Sequence, residues 1–226
     1  MVRHKGVAMA IKEMRWCEDI GMFAVDRPID TIPGKAEGSC VWATDFCKSK
    51  CYNEKLYKLY PDMRLKDIRN EQEWQSASAE DYANSLARKK KQVKRWRLMT
   101  RGEAIKDHSD VDRIIAIAEA TPDSLLWIPT RAWRDPELRE RIRKELMPLE
   151  NLAVLASIDP ETREEEQSLL DDGWSTMFFG DDEDTEGRFK CPKTWKKMKG
   201  HCGICKAGCF APKLLNRQVR VHLSEH

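Results

Sequence analysis

The sequence has no long apolar run. No stretch approaches the roughly 18 apolar residues that a membrane-spanning helix needs, so we expect no membrane partner. Residues Met1 to Lys12 lack the positive segment, apolar run and small-residue cleavage site of a secretory signal, which predicts a cytoplasmic protein. Internal repeats and low-complexity segments are also missing, which excludes the repeat and fibrous classes.

The chain also has little net charge. Its 40 Lys and Arg side chains nearly balance 38 Asp and Glu side chains, giving +2, so no global basic field attracts nucleic acid. One local basic run, from Arg88 to Arg97, reads RKKKQVKRWR. Such a run can bind phosphates while Trp96 stacks on a base, but it is more often the solvated end of a helix. We favour the helix end and keep nucleic acid as an alternative partner.

Cysteine is the residue type that stands out. Seven of the eight cysteines fall into two groups about 140 residues apart in sequence. Thiolates this close in sequence usually converge on a soft metal or in a disulfide. Disulfides are rare in a reducing cytoplasm, and 226 residues bury enough core to fold without them, so metal binding is favoured. The N-terminal cysteine group is Cys40, Cys47 and Cys51 (C-x6-C-x3-C), and the C-terminal cysteine group is Cys191, Cys202, Cys205 and Cys209 (C-x10-C-x2-C-x3-C).

The spacing within these groups favours an iron–sulfur cluster over zinc. A structural zinc site usually has two C-x2-4-C pairs, or one pair and two histidines, and here only Cys202 and Cys205 form such a pair. Triples with gaps of two and three residues are typical of cubane clusters. We therefore predict one or two [4Fe-4S] clusters, with zinc as the alternative. His201 is interpreted as a neighbour of the C-terminal cysteine group, and Cys17 as an ordinary thiol.

Between about Arg95 and Gly180 the apolar pattern alternates between strands and helices. Buried-type strands of five to seven residues separated by helices of about eleven indicate parallel βαβ units, in an open sheet or a partial barrel. The predicted strands are Arg97 to Thr100, Leu125 to Pro129, Leu152 to Ile158 and Trp174 to Phe179, and the predicted helices are Asp110 to Glu119, Pro136 to Leu146 and Pro160 to Leu170.

The two ends of the chain lack the alternating strand and helix pattern of this middle region. We predict one strand, Ile20 to Val25, before the N-terminal cysteine group, followed by a helix from about Tyr52 to Leu59 and charged helices to about residue 94. After Gly180 the chain has few long apolar runs, so its order should depend on metal ligation. The predicted division is an α/β domain of residues 1–180 and a cysteine-rich, metal-organised C-terminal segment of residues 181–226.

Polar residues follow several of the predicted strands. Sites of open α/β sheets form outside the carboxyl ends of the strands, so these residues should meet on one rim. Glu103 can orient an ammonium group and Arg131 can pair with a carboxylate, although an internal salt bridge is an equal alternative. The residues concerned are the N-terminal cysteine group, Gly102 with Glu103, Thr130 with Arg131, Ser157 to Asp159, and Gly180 to Asp182.

The order of these motifs resembles the gene product 88 family, small iron–sulfur proteins carried by many bacteriophages. The features that match are Thr31 to Gly34, Cys47 to Tyr52, Arg97 to Glu103, Pro122 to Arg131, Ser157 to Asp159, Cys191 with Pro192, and the Cys202, Cys205 and Cys209 group with a C-terminal His. The family is itself similar to radical S-adenosylmethionine (SAM) enzymes. That resemblance implies a partial (β/α) TIM-type barrel, Gly102 and Glu103 at the methionyl amine of SAM, and Ser157 and Asp159 near its ribose.

One departure from the radical SAM pattern affects the expected function. Those enzymes use C-x3-C-x2-C, whereas the loop here has gaps of six and three residues. A cysteine of the C-terminal group can close the fourth iron, which would make the cluster structural or electron-transferring.

Three functions follow. The favoured one is a [4Fe-4S] protein of the host-cell cytoplasm that acts in redox or electron transfer, or in binding a host or phage protein. The alternatives are a radical SAM-like enzyme and a zinc-organised nucleic-acid or protein adaptor.

Overall fold

Eight strands form one sheet in the computed structural model, which describes residues 11, 14–18, 20–89, 95–181, 185–195, 202, 205, 207–210 and 217–225. Three of the interior strands, Leu125–Thr130, Leu152–Ile158 and Ser175–Gly180, are mainly apolar segments, as buried parallel strands require. The strands are β1 (Arg15–Cys17), β2 (Met22–Val25), β3 (Arg95–Leu98), β4 (Leu125–Thr130), β5 (Leu152–Ile158), β6 (Ser175–Gly180), β7 (Phe189–Lys190) and β8 (Arg220–Ser224).

The sheet is open and mostly parallel. Its order is β1-β2-β3-β4-β5-β6-β8-β7, so the strands from β2 to β6 lie side by side in chain order. Only β1 runs antiparallel to its neighbour, and β1 and β7 are the two edges. The predicted α/β class is therefore confirmed, whereas the described strands form an open sheet and do not show the predicted partial TIM-type barrel.

The helices begin at residues that suit a first turn. Ser78 and Asp81 form a capping box, Asp107 accepts hydrogen bonds from the Ser109 and Asp110 amides, and Pro61 and Pro136 open their helices. The helices are α1 (Asp45–Ser49), α2 (Tyr52–Leu59), α3 (Pro61–Ser76), α4 (Ala79–Ala87), α5 (His108–Ala120), α6 (Pro136–Arg141, continued by a π-helical turn over Ile142–Leu146), α7 (Glu166–Asp171) and α8 (Pro192–Trp195), with 3₁₀ turns at Ala132–Arg134 and Pro160–Glu165.

The two faces of the sheet have different partners. One face packs against α4, α5 and α6 and contributes Trp96, Leu98, Ile128 and Val154 to the main core. The other face forms a smaller apolar cluster of Met22, Trp127, Ala153, Leu155 and Met177, against which Cys202 and Cys209 pack. Because side chains alternate along a strand, one sheet separates the helices from the C-terminal cysteine group.

Most predicted elements are present with small shifts at their ends. Strand β5 and helix α2 have the predicted bounds, while the predicted helix Pro160 to Leu170 is a 3₁₀ turn followed by α7. The prediction omitted β1, β7 and β8. Strand β8 pairs with both β6 and β7, so the sheet continues across the predicted division at residue 180.

The basic run from Arg88 to Arg97 is only partly a helix end. Arg88 and Lys89 follow α4, residues 90–94 lie outside the described residues, and Arg95 begins β3. Trp96 is fully buried and stacks on Tyr82 with ring centroids 5.4 Å apart, so its ring belongs to the core. Nucleic-acid binding by the rest of the run stays a prediction. Among the described helices, none combines the length and apolarity needed to cross a bilayer.

Candidate functional site

A cavity of about 300 Å³ lies on the face of the sheet that carries Trp127 and Met177. All seven cysteines of the two groups line it, together with Gly102, Glu103, Thr130, Arg131 and Ser157 from the strand ends. The structure thus places the N-terminal cysteine group and these strand-end residues on one rim, as the strand-end pattern predicts. It adds the C-terminal cysteine group, which that pattern does not include. Asp159, Gly180 and Asp181 are not among the lining residues, and Asp182, the last residue of the predicted Gly180 to Asp182 set, lies outside the described residues.

The loop carrying the N-terminal cysteine group is fastened to three strand ends. The Ser39 hydroxyl donates to the Pro28 carbonyl at 2.8 Å and accepts from the Glu103 amide at 2.9 Å. Thr44 caps α1 by accepting from the Cys47 amide at 3.0 Å, and it donates to Asp159 Oδ2 at 2.5 Å. The loop is therefore positioned by the residues that follow β2, β3 and β5.

Gly102 permits the close approach of this loop. Its φ is +79°, and a Cβ atom there would lie 2.5 Å from Ser39 Oγ and 2.6 Å from the Arg27 carbonyl oxygen. Met99, which also lines the cavity, has a φ of +68°. A bulky residue in this region carries backbone strain, of the kind that clusters at functional sites.

Glu103 is held by donors of its own chain. Its Oε1 accepts from the Thr130 hydroxyl at 2.7 Å and the Ile105 amide at 3.2 Å, and its Oε2 accepts from the Arg131 amide at 2.8 Å. Burial raises the pKa of this carboxyl group, and these hydrogen bonds oppose the rise. A carboxylate has about four acceptor positions, so the chain itself occupies most of them.

Arg131 forms an internal salt bridge, which the sequence analysis gave as the alternative to pairing with a ligand carboxylate. Its Nη1 lies 2.8 Å from Asp159 Oδ2, and Asp159 also begins the 3₁₀ turn after β5 by accepting from the Glu161 amide. Burial raises the pKa of the Cys47 thiol, and the Arg131 charge partly offsets that rise. Ser157 lines the cavity, and its carbonyl accepts from Trp133 Nε1 at 3.0 Å.

The C-terminal cysteine group is attached to β8. The Cys191 amide donates to the His222 carbonyl at 2.8 Å, and the Cys205 amide donates to the Cys202 carbonyl at 3.4 Å. Burial and, to a smaller extent, the neighbouring Cys191, Cys205 and Cys202 thiols together raise the pKa of Cys209 to about 12.

In the N-terminal cysteine group, Cys40 also has a raised pKa. Burial raises the pKa of Cys40 to about 12, with added contributions from Glu103, Cys47 and Cys51. Each group is thus electrostatically coupled within itself. All eight cysteines are free thiols.

The thiols are not drawn together around a single point. Among the described residues, no three His, Cys, Asp or Glu side chains converge closely enough to hold one metal ion. His201 and the C-terminal His226 lie outside the described residues.

Arg97 and Trp127 are cavity residues that the sequence reading did not select as site residues. The Arg97 guanidinium carbon lies 4.5 Å from the centroid of the Trp127 ring, on the neighbouring strand. The alternation of Arg95, Trp96, Arg97 and Leu98 was a usable signal, because it places the two arginines on the face opposite the buried Trp and Leu.

Comparison with known proteins gives one result. Residues 28–218 match the family described as Gene product 88. Neither the curated proteins nor the solved structures yielded a match.

Proposed function

The chain belongs to the gene product 88 family, a phage-type family, and we propose that it is an iron–sulfur protein whose two cysteine groups bind [4Fe-4S] clusters. The observation that carries this proposal is the convergence of seven free thiols on one cavity. The three thiols of the N-terminal group and the four of the C-terminal group would each hold a cluster.

The chemistry of the donor set fits such clusters. Thiolates are the ligands of iron–sulfur clusters, and a buried thiol with a raised pKa gives up its proton when a metal cation takes its place. Cationic side chains lie near both groups: Arg131 acts on Cys47, and Arg97 and Lys193 act on Cys202. They would offset the negative charge of thiolate-bound clusters.

The distances between thiols bear on zinc as well. A tetrahedral zinc ion with bonds of about 2.3 Å requires its four sulfurs to lie about 4 Å from one another. In a cubane cluster each thiolate binds a different iron atom, so its ligands stand farther apart. The sulfur-to-sulfur distances of the loaded protein would therefore distinguish a zinc ion from a cubane cluster.

We propose that the open sheet is the arc of a partial (β/α) barrel. Strands β2 to β6 follow one another in chain order, the main core lies between them and the helices, and the cavity lies on the other face. In a barrel this second face would be the interior, which is where barrel proteins place their sites at the carboxyl ends of the strands.

A role in electron transfer, or in redox-dependent binding of a host or phage protein, is favoured over catalysis. Glu103 already accepts hydrogen bonds from Thr130, Ile105 and Arg131, and the Arg131 guanidinium is paired with Asp159. These are the groups that would have to hold the amine and carboxylate of SAM.

The radical SAM-like enzyme remains the second candidate, because three thiolates alone would leave one iron of a cubane without a protein ligand. For the reduced, cluster-loaded protein we expect SAM to leave the electron paramagnetic resonance spectrum unchanged and dithionite to release no 5′-deoxyadenosine. A perturbed spectrum together with SAM cleavage would establish the enzyme instead, and Glu103→Gln would then weaken SAM binding.

The experiment that tests ligation compares three variants purified anaerobically. Replacing Cys40, Cys47 and Cys51 by Ser, or Cys202 and Cys205 by Ser, should each remove about half of the iron and sulfide, because each change destroys one cluster. Cys17→Ser is the matched control, since Cys17 does not line the cavity and should keep full content. Wild-type content in both multiple variants would contradict the proposed ligands.

A further inference from the structure

Arg97 is a cation on the face of the sheet that carries the cavity. It lies in β3 between the buried Trp96 and Leu98, so its side chain leaves the sheet on the opposite face and lines the cavity. Trp127, on the adjacent strand, is 4% exposed and lies under the guanidinium group, whose carbon is 4.5 Å from the centroid of the ring. A cation–π contact of this kind fixes the position of the charge.

This cation has no counter-anion in the described part of the chain. Arg97 Nε is buried without a hydrogen-bond acceptor there, and the same is true of Trp127 Nε1. None of the carboxylates in the described residues forms an ion pair with Arg97, in contrast to Arg27, Arg101 and Arg131. Buried N–H donors are normally paired, so the acceptor for Arg97 Nε and Trp127 Nε1 should be an occupant of the cavity.

The position of Arg97 relates it to both cysteine groups. Arg97 and Trp127 line the cavity together with all seven cysteines of the two groups. Cys202 and Cys209 pack against the apolar cluster that contains Trp127, the ring under the Arg97 guanidinium. An anionic group held by the C-terminal cysteine group would therefore lie within reach of this guanidinium.

We propose that Arg97, held against Trp127, is the positioning residue that sets the reduction potential of the cluster bound by the C-terminal cysteine group. This inference rests on the proposed function and adds a role that the family match does not assign. The residue would act by charge and by N–H donors aimed at an anionic cluster, without ligating iron. Hydrogen bonds and net charge around the sulfurs are established determinants of cluster potentials.

The sign of the effect follows from electrostatics. Reduction adds one negative charge to the cluster, and a nearby cation stabilises the more negative state. Arg97 therefore raises the reduction potential, and removing its charge lowers it. We expect about a tenfold change in the oxidised-to-reduced equilibrium, which is about 59 mV for a one-electron couple.

The test is a potentiometric titration of the anaerobically loaded full chain, read by electron paramagnetic resonance and absorption. Arg97→Gln should lower one reduction potential, and Arg97→Lys should restore most of it because the charge returns. Arg143→Gln is the matched control: it removes the same charge from the exposed surface of the π-helical turn after α6, where Arg143 pairs with Glu140. It should leave every potential unchanged.

The possible outcomes separate this inference from the function on which it rests. A wild-type chain that holds no cluster refutes the proposed function, whereas a loaded Arg97→Gln variant with wild-type potentials refutes only the role of Arg97. If Arg97→Gln cannot retain iron and sulfide, Arg97→Lys decides. If the Lys variant loads iron and sulfide normally, the positive charge is what the cluster requires. If the Lys variant also fails to load, the shape of the arginine side chain rather than its charge is needed, and the inference is overturned.

Discussion

At the scale of single residues, Gly102 matters because it brings the N-terminal cysteine loop against the end of β3. The atoms that a Cβ would meet are the Ser39 hydroxyl, itself anchored to Pro28, and the backbone carbonyl of Arg27. The Arg27 carbonyl belongs to the backbone, and Ser39 is fully buried and directly precedes Cys40, so neither atom has free space to move into. The glycine therefore fixes the position of a proposed cluster ligand through packing rather than through contact with a ligand.

Gly102→Ala should lower the free energy of unfolding by about 2–4 kcal/mol, the sum of a positive-φ penalty and overpacking. Gly34→Ala is the matched control, because Gly34 has a similar φ of +69° with no atom within 4 Å of the added Cβ. It should cost only about 1 kcal/mol. Urea denaturation of both variants measures the difference, and equal losses would show that the contact with Ser39 and Arg27 is not tight.

The candidate site residues could be selected from the sequence because they directly follow predicted strands. Their hydrogen-bond and ion-pair partners could not be predicted in this way. Glu103, Arg131 and Ser157 follow strands, so their presence at the cavity was predictable. The hydrogen bond from the Arg131 amide to Glu103 and the pairing of Arg131 with Asp159 each join residues 28 positions apart, and such partners depend on how strands are aligned. Local pattern does not specify that alignment.

At the scale of elements, one carboxylate ties helix α7 to the C-terminal part of the sheet. Glu166 Oε2 accepts from Arg188 Nη2 at 2.5 Å and from Arg220 Nη2 at 2.8 Å, and its Oε1 accepts from the Thr176 hydroxyl at 2.7 Å. Arg188 directly precedes β7 and Arg220 begins β8. Two strands of the region that carries the C-terminal cysteine group are thus anchored to an α7 side chain.

This anchor should make stability depend on pH. Burial alone would raise the pKa of Glu166, but its bonds with Arg188, Arg220 and Thr176 lower it to about 2. A lowered pKa contributes stability that is present above the unfolded value of about 4.3 and lost as pH falls toward about 2. The contribution is at most about 3 kcal/mol at neutral pH.

Glu166→Gln should therefore be less stable than wild type at pH 7 and show a shallower loss between about pH 4.5 and 2. Thermal or urea unfolding across that range provides the measurement. Glu150→Gln, at an exposed position before β5, is the control and should retain the wild-type slope. A Glu166→Gln profile parallel to wild type would mean that this carboxylate does not link α7 to the strands.

The element pattern shows what periodicity can and cannot specify. Long apolar strands such as β5 were predicted to the residue, because a buried parallel strand needs a continuous apolar run. Strand β8 was missed because its five residues read RVHLS, with two polar residues and one His that the sheet buries between neighbours. Strand β7 has only two residues, too few for any periodic signal.

At the scale of the whole molecule, the two faces of the sheet have different roles. Its helix-covered face supplies the main core, and its other face presents a cavity at which both cysteine groups meet. The convergence was predictable from the rule that parallel strands place their following loops on one rim. The approach of the C-terminal cysteine group to that same rim was not predictable, because it depends on β8 pairing with β6 rather than forming a separate unit.

The measurement that tests the central claim most directly is the iron, sulfide and zinc content of the wild-type chain purified without oxygen, with its absorption spectrum. Two [4Fe-4S] clusters predict about eight iron and eight sulfide ions per chain, a brown colour and a broad band near roughly 400 nm from thiolate-to-iron charge transfer. Stoichiometric zinc without inorganic sulfide, in a colourless protein, would contradict the account.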